Sequence, residues 1–174
     1  MKRLKACLAI SFFTLIADGK ATDGSPHSHK AHVHGSAQLS LAFDGINGKL
    51  EFESPAESII GFEHQAKTNG QKKQVEEALE LLKTKMPEMI VFMPELGCVF
   101  RSTEAQVKMS KETNHSETHA SFDLVCNKSP KGSKVTFQFT KIFPKLKKVE
   151  AQILIDDTQK SLMVTKSPTS LELK

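Results

Sequence analysis

The strongest constraint on the fold lies between Val33 and Phe43, where side-chain character alternates. Val33, Gly35, Ala37, Leu39, Leu41 and Phe43 are apolar or small, whereas His32, His34, Ser36, Gln38 and Ser40 are polar. Successive side chains of a strand point to opposite faces, so this spacing predicts a half-buried strand with one face in a core. Asp44 to Gly48, rich in Gly and Asn, follows as a turn. Leu50 and Phe52 then resume the apolar face opposite Glu51 and Glu53, which closes a hairpin.

Later segments extend the pattern. Ser54 as N-cap and Pro55 at the first helical position predict a short helix ending before Gly61. Val75, Leu79 and Leu82, with Ala78 beside them, have the spacing of an amphipathic helix that Pro87 terminates. Beyond the apolar run at Met89 to Met93, strands are expected at Cys98–Met109, His115–Cys126, Lys134–Phe143, Val149–Ile155 and Leu162–Lys166. The fold class is α+β: a single domain, mostly antiparallel β-sheet, with one amphipathic and one short helix packed on it. A chain of 174 residues with 39% apolar content supports one core, and because it has neither Trp nor Tyr, Phe must do the aromatic packing.

Residues 1–21 read as a secretory signal peptide. Lys2, Arg3 and Lys5 precede a largely apolar run from Ala6 to Ala17, and Gly19 and Ala21 stand at −3 and −1 of a cleavage site. A run of this length cannot span a hydrocarbon core of about 30 Å, so no stable membrane insertion is expected after cleavage. Residues 22–31 form a polar, flexible, histidine-containing leader, and 32–174 the folded domain. Without residues 1–21 the balance of 24 basic against 20 acidic side chains falls to 20 against 19, so the basic character belongs largely to the signal. Nucleic acid is therefore not expected as a partner, since phosphate binding needs clustered Lys and Arg, and Lys145 to Glu150 reads as a solvated turn. Cys98 and Cys126 remain as an even pair in an exported chain, which favours a disulfide.

The histidines carry the chemical signal. Four of seven, His27, His29, His32 and His34, fall within eight residues, and His115, Glu117 and His119 sit at i, i+2 and i+4 on a second strand whose alternate positions are Ala120, Phe122, Leu124 and Cys126. Same-face neighbours on a strand lie about 6.5–7 Å apart at Cα, within reach of one ion by converging side chains. Imidazole nitrogen and carboxylate oxygen both bind zinc at about 2.0–2.2 Å, and other late transition metals accept the same donors. A lone His-x-His pair on a strand is more often a solvated surface pair, but six of seven histidines in two clusters calls for a common cause. The expected site joins His32 and His34 to His115, Glu117 or His119 about one zinc ion. The short helix would carry Glu63 and His64 to the same face, and His27 and His29 would catch zinc more weakly from the leader.

Five stretches resemble the ZrgA-like periplasmic zinc-binding family of Gram-negative bacteria: His32 to Leu39, Glu53 to His64 (ESPAESIIGFEH), Met93 to Cys98, His115 to Cys126 and Ile142 to Pro144. The resemblance covers most of the chain after residue 21, and it implies a periplasmic protein that binds zinc and assists its uptake beside an ABC-type importer or that importer's binding protein. Members often carry a long His- and Asp-rich insert before the second histidine strand, and here only a short Ser110–His119 segment stands in its place. Two further classes are a zinc-dependent hydrolase and a disulfide-stabilised periplasmic protein-interaction domain without a metal role. The first would need a metalloprotease-like H-E-x-x-H or equivalent signature, which the chain lacks. The second leaves both histidine clusters without a purpose. A non-catalytic zinc binder that buffers or delivers the ion accounts for the most residues.

Overall fold

A computed structural model describes residues 34–109 and 115–174. The signal and leader segments therefore lie outside the described residues. Strands β1 (Ser36–Asp44) and β2 (Asn47–Pro55) form the expected hairpin. Leu39 stands opposite Phe52 and Leu41 opposite Leu50, and Ala37, Leu39, Leu41, Phe43, Leu50 and Phe52 are all buried. The period-two pattern thus does what it predicts: one face is core and the other is polar.

Helices α1 (Ala56–Ile59) and α2 (Asn69–Met89) follow, then β3 (Ile90–Phe92), β4 (Val99–Met109), β5 (Ser116–Val125), β6 (Lys134–Phe137), β7 (Lys148–Ile155), β8 (Thr158–Val164) and β9 (Thr169–Glu172). A six-stranded sheet has the order β4-β5-β2-β1-β7-β8, and a three-stranded sheet the order β3-β6-β9. Every pairing is antiparallel except β1 with β7, which run parallel. One continuous buried cluster includes residues of both sheets. Phe rings join them: Phe43 meets Phe92 edge-on at 5.6 Å, and Phe139 stacks on Phe52 at 6.0 Å and on Phe137 at 6.2 Å. Such pairs contribute about 0.5–1.5 kcal/mol each beyond the area they bury.

Several boundaries differ from the sequence expectation for identifiable reasons. Ser54 does not cap α1. It belongs to β2, its side chain faces the core, and its hydroxyl donates to the Ser36 carbonyl across the hairpin, so Pro55 is the N-cap residue without a side-chain bond. Helix α2 continues through Pro87, which lies in its last turn. The missing proline N–H forfeits a single helical bond there, while the Ile90 N–H still reaches the Met86 carbonyl. Its start is fixed by a capping box in which the Gln71 N–H donates to Thr68 Oγ1 and the Thr68 N–H donates to Gln71 Oε1. It buries Leu82, Met86 and Met89, with Val75 and Ala78 packed partly buried against the same core, and Leu79 is also only partly covered.

The strand expected over Lys134–Phe143 stops at Phe137, because a 3-10 turn at Phe139–Lys141 directs Phe139 inward to its two aromatic partners. Strand β9 was not foreseen. Lys145 to Glu150 is no free turn either: Leu146 is buried, the Lys147 and Lys148 N–H groups both donate to the Gly35 carbonyl, and β7 already begins at Lys148. No helix among the described residues is long and apolar enough to cross a membrane.

Cys98 and Cys126 are joined by a disulfide, as expected from the even pair. It ties the entry of β4 to the exit of β5, with Cys126 buried. The bridge spans a sequence separation of 28 residues, for which the chain-entropy model gives a stabilisation of about 3–4 kcal/mol. Replacing both cysteines by alanine is expected to lower the unfolding free energy by that amount in urea denaturation. An unchanged midpoint would show that the bridge adds nothing.

Candidate metal centre

Antiparallel pairing of β1 with β2 and of β2 with β5 brings the start of β1, the end of β2 and the start of β5 to one end of the large sheet. His34, Glu57 and His115 are delivered there by chain direction alone. Gly35 fixes His34: its φ of +76° favours glycine, and an added Cβ would come within 3.1 Å of the Lys145 carbonyl. Its N–H donates to the Ser58 hydroxyl at 3.0 Å, which fastens the segment to α1.

Glu63 arrives by a different route. After α1, Gly61 adopts φ +107° and redirects the chain, and the Ser116 hydroxyl donates to the Glu63 carbonyl, pinning the loop to the start of β5. The Glu63 side chain is 13% exposed and stands between two imidazoles. Its Oε1 lies 3.4 Å from His34 Nδ1, and its Oε2 is in direct contact with His115 Nδ1. His34 and His115 remain open to solvent, at 63% and 50% exposure. Glu63 Oε1 is buried and has no hydrogen-bond partner among the described residues. A buried polar atom left without a partner costs about 1–3 kcal/mol, more when charged, so this oxygen is a natural place for a cation.

Glu57 supplies a fourth donor residue that sequence reasoning missed. Its Oε2 lies 3.5 Å from His34 Nδ1, and its Oε1 accepts a hydrogen bond from Lys145 Nζ at 2.9 Å. That bond, together with the Lys145 charge and the neighbouring His34, holds the Glu57 carboxyl below its ordinary range against a smaller opposing effect of burial. The glutamate is therefore anionic and aimed. Four donors placed tetrahedrally about zinc stand roughly 3.3–3.4 Å apart, given metal–donor distances of about 2.0–2.1 Å. The two separations from His34 Nδ1 are close to that edge length. As the side chains stand, no group of three or more His, Cys, Asp or Glu residues among the described residues could hold a metal ion. Closing these donors around one requires side-chain rotation.

The remaining candidates divide. His119 lies farther along β5 on the outer face, between Glu53 Oε1 at 3.2 Å from its Nδ1 and Glu117 Oε2 at 3.4 Å from its Nε2. Those carboxylates address opposite nitrogens of one ring, so in this arrangement the three do not converge on a single point. His115, expected beside Glu117 and His119, instead makes its contact with Glu63. His64 is not brought to the Glu63 carboxylate: its ring stacks on Phe62 at 4.8 Å, and its Nδ1 lies 3.1 Å from the Gln65 carbonyl. His27, His29 and His32 lie outside the described residues. A cavity of about 540 Å³ opens at the other end of the sheet around Arg101 and Asp123, but no histidine lines it.

Fold and donors together define a class: a small β-sheet protein with imidazole and carboxylate groups gathered at one end of its main sheet. Residues 31–173 match the family model described as ZrgA family zinc uptake protein, and the chain belongs to that family. Its role lies in zinc uptake. No curated protein matches the chain.

The Glu57–Lys145 contact carries a pH signature. Because the folded carboxyl titrates below its ordinary value of 4.5, the stabilisation is present above that value and lost as pH falls through the lower, folded one. Urea unfolding of wild type and Glu57→Gln is expected to differ from neutral pH down to 4.5 and to converge in more acidic buffer. A difference that grows on acidification would contradict the assignment.

Proposed function

We propose that this is an exported periplasmic protein that captures zinc at the end of its large sheet and buffers or delivers it, without catalysing a reaction. The observation that carries the reading is the buried Oε1 of Glu63, which has no hydrogen-bond partner among the described residues and lies beside His34, with His115 on the other oxygen of the same carboxylate. A buried anion flanked by exposed imidazoles suits capture and release: the carboxylate supplies attraction, and the open side chains let the ion exchange. Zinc is cargo here, and a delivering protein must let go of it. The signal pattern over residues 1–21 supports export, and membership of a zinc uptake family supports an ABC-type importer or its binding protein as the recipient. The leader over residues 22–31, with His27 and His29, would collect ions at lower affinity, because any segment that must be ordered on binding costs about 1–2 kcal/mol per residue.

Metal-ligating imidazole is neutral, so zinc binding is expected to weaken as pH is lowered through the ordinary histidine range near 6.5. Competition titration against a zinc chelator separates the residues. His34→Ala and His115→Ala should each weaken binding by roughly tenfold or more, with His64→Ala close to wild type and His27→Ala/His29→Ala intermediate. Equal, small losses from all of these variants would leave only a loose histidine tail and overturn the sheet-end site.

A further inference from the structure

We propose that Glu63 is a bridging carboxylate and that the sheet end holds two zinc ions, one on each of its oxygens. The inference rests on the zinc-binding reading above and extends it from one ion to a pair. Its basis is the division of the Glu63 carboxylate between two different histidines: Oε1 faces His34 Nδ1 and Oε2 contacts His115 Nδ1. A carboxylate serving one ion would bring its flanking imidazoles to a common point. Here the two imidazoles come from opposite sides, His34 ahead of β1 and His115 ahead of β5, with β2 lying between those strands in the sheet. The loop that carries Glu63 is fixed between them by the Ser116 hydroxyl, which donates to the Glu63 carbonyl.

The two positions have unequal donors. On the His34 side, Glu57 Oε2 adds a second carboxylate oxygen 3.5 Å from the same Nδ1, and Lys145 holds Glu57 in place through its other oxygen. That side offers imidazole nitrogen and two carboxylate oxygens, of which Glu63 Oε1 is buried and has no hydrogen-bond partner among the described residues. Among the described residues the His115 side offers imidazole nitrogen and one oxygen of Glu63, one donor fewer than the His34 side. Carboxylate-bridged metal pairs stand about 3.5–4 Å apart, where two divalent ions repel. The ion beside His34 therefore binds first, and the one beside His115 binds more weakly and leaves first. A labile second ion next to a retained one is the arrangement a delivering protein can use.

The test uses the full chain carrying His27→Ala and His29→Ala, stripped of metal and titrated with zinc, followed by zinc X-ray absorption at full loading. The expected result is two sequential binding events and a zinc–zinc vector at about 3.5–4 Å that is absent at one equivalent. His115→Ala should lose the vector and bind a single ion, held beside His34 and more weakly than the first ion of the intact pair. Glu63→Gln keeps the side-chain shape, removes the bridging anion and should lose the vector too. A single bound ion, or two ions without a metal–metal vector, would overturn the bridge and leave zinc binding standing. Failure to bind any zinc would overturn both readings. Because the vector is sought first in a chain with an intact sheet end, poor folding of either variant does not remove the test.

Discussion

Register along β1 is the constraint on which the rest of the molecule depends. Strand β1 pairs antiparallel with β2 and parallel with β7, and in both ladders the odd residues Ala37, Leu39, Leu41 and Phe43 face the core. A slip of one residue would turn all of them to solvent and bring Gln38 and Ser40 inside, which makes the register steeply specified. The same register fixes the chemistry. Glu53 faces outward because Phe52 faces inward, His119 stands opposite Glu53 across the ladder with β5, and His34 emerges at the strand start, where β2 ends and β5 begins. Core and candidate site are therefore set by one pattern, read on its two faces.

Two anchors hold the ends of this sheet. At the hairpin end, the Cys98–Cys126 disulfide joins the edge strand β4 to its neighbour β5, and the Cys126 N–H donates to the Ile46 carbonyl in the turn between β1 and β2. At the histidine end the ties are hydrogen bonds: Gly35 to Ser58, Ser54 to Ser36, and Ser116 to Glu63. Ser54, Ser58 and Ser116 are all buried. These hydroxyls hold the loops that present the glutamates while leaving the imidazoles exposed. A buried, hydrogen-bonded support beneath solvent-facing donors fits capture of an ion that must later be released.

How far the sequence could be read depended on whether a feature is local. The alternation over Ser36 to Phe43 and the pattern over His115–Cys126 are local, and they became β1 and β5 with the expected faces, although His34 and Gly35 stand in a turn ahead of β1. The Ser54 cap was misread because Ser-Pro is a helix-start signal only when the serine is free, and here its hydroxyl is already engaged across the hairpin. Lys134–Phe143 overran because alternation does not reveal that Phe139 turns inward after a single 3-10 turn. The parallel pairing of β1 with β7 and the second sheet are long-range choices that no window contains. The same holds for the site: His34 and His115 stood out as histidines, whereas Glu57 and Lys145 meet across 88 residues of sequence and only the fold joins them.

The central claim is that zinc is held where Glu63 stands between His34 and His115. The most direct measurement is a long-range proton–nitrogen NMR spectrum of the histidine rings, recorded with and without zinc on uniformly labelled protein. The account predicts that the ring nitrogens of His34 and His115 change on zinc addition while those of His64, stacked on Phe62, do not. Perturbation confined to His27, His29 and His32, with His34 and His115 unmoved, would contradict it.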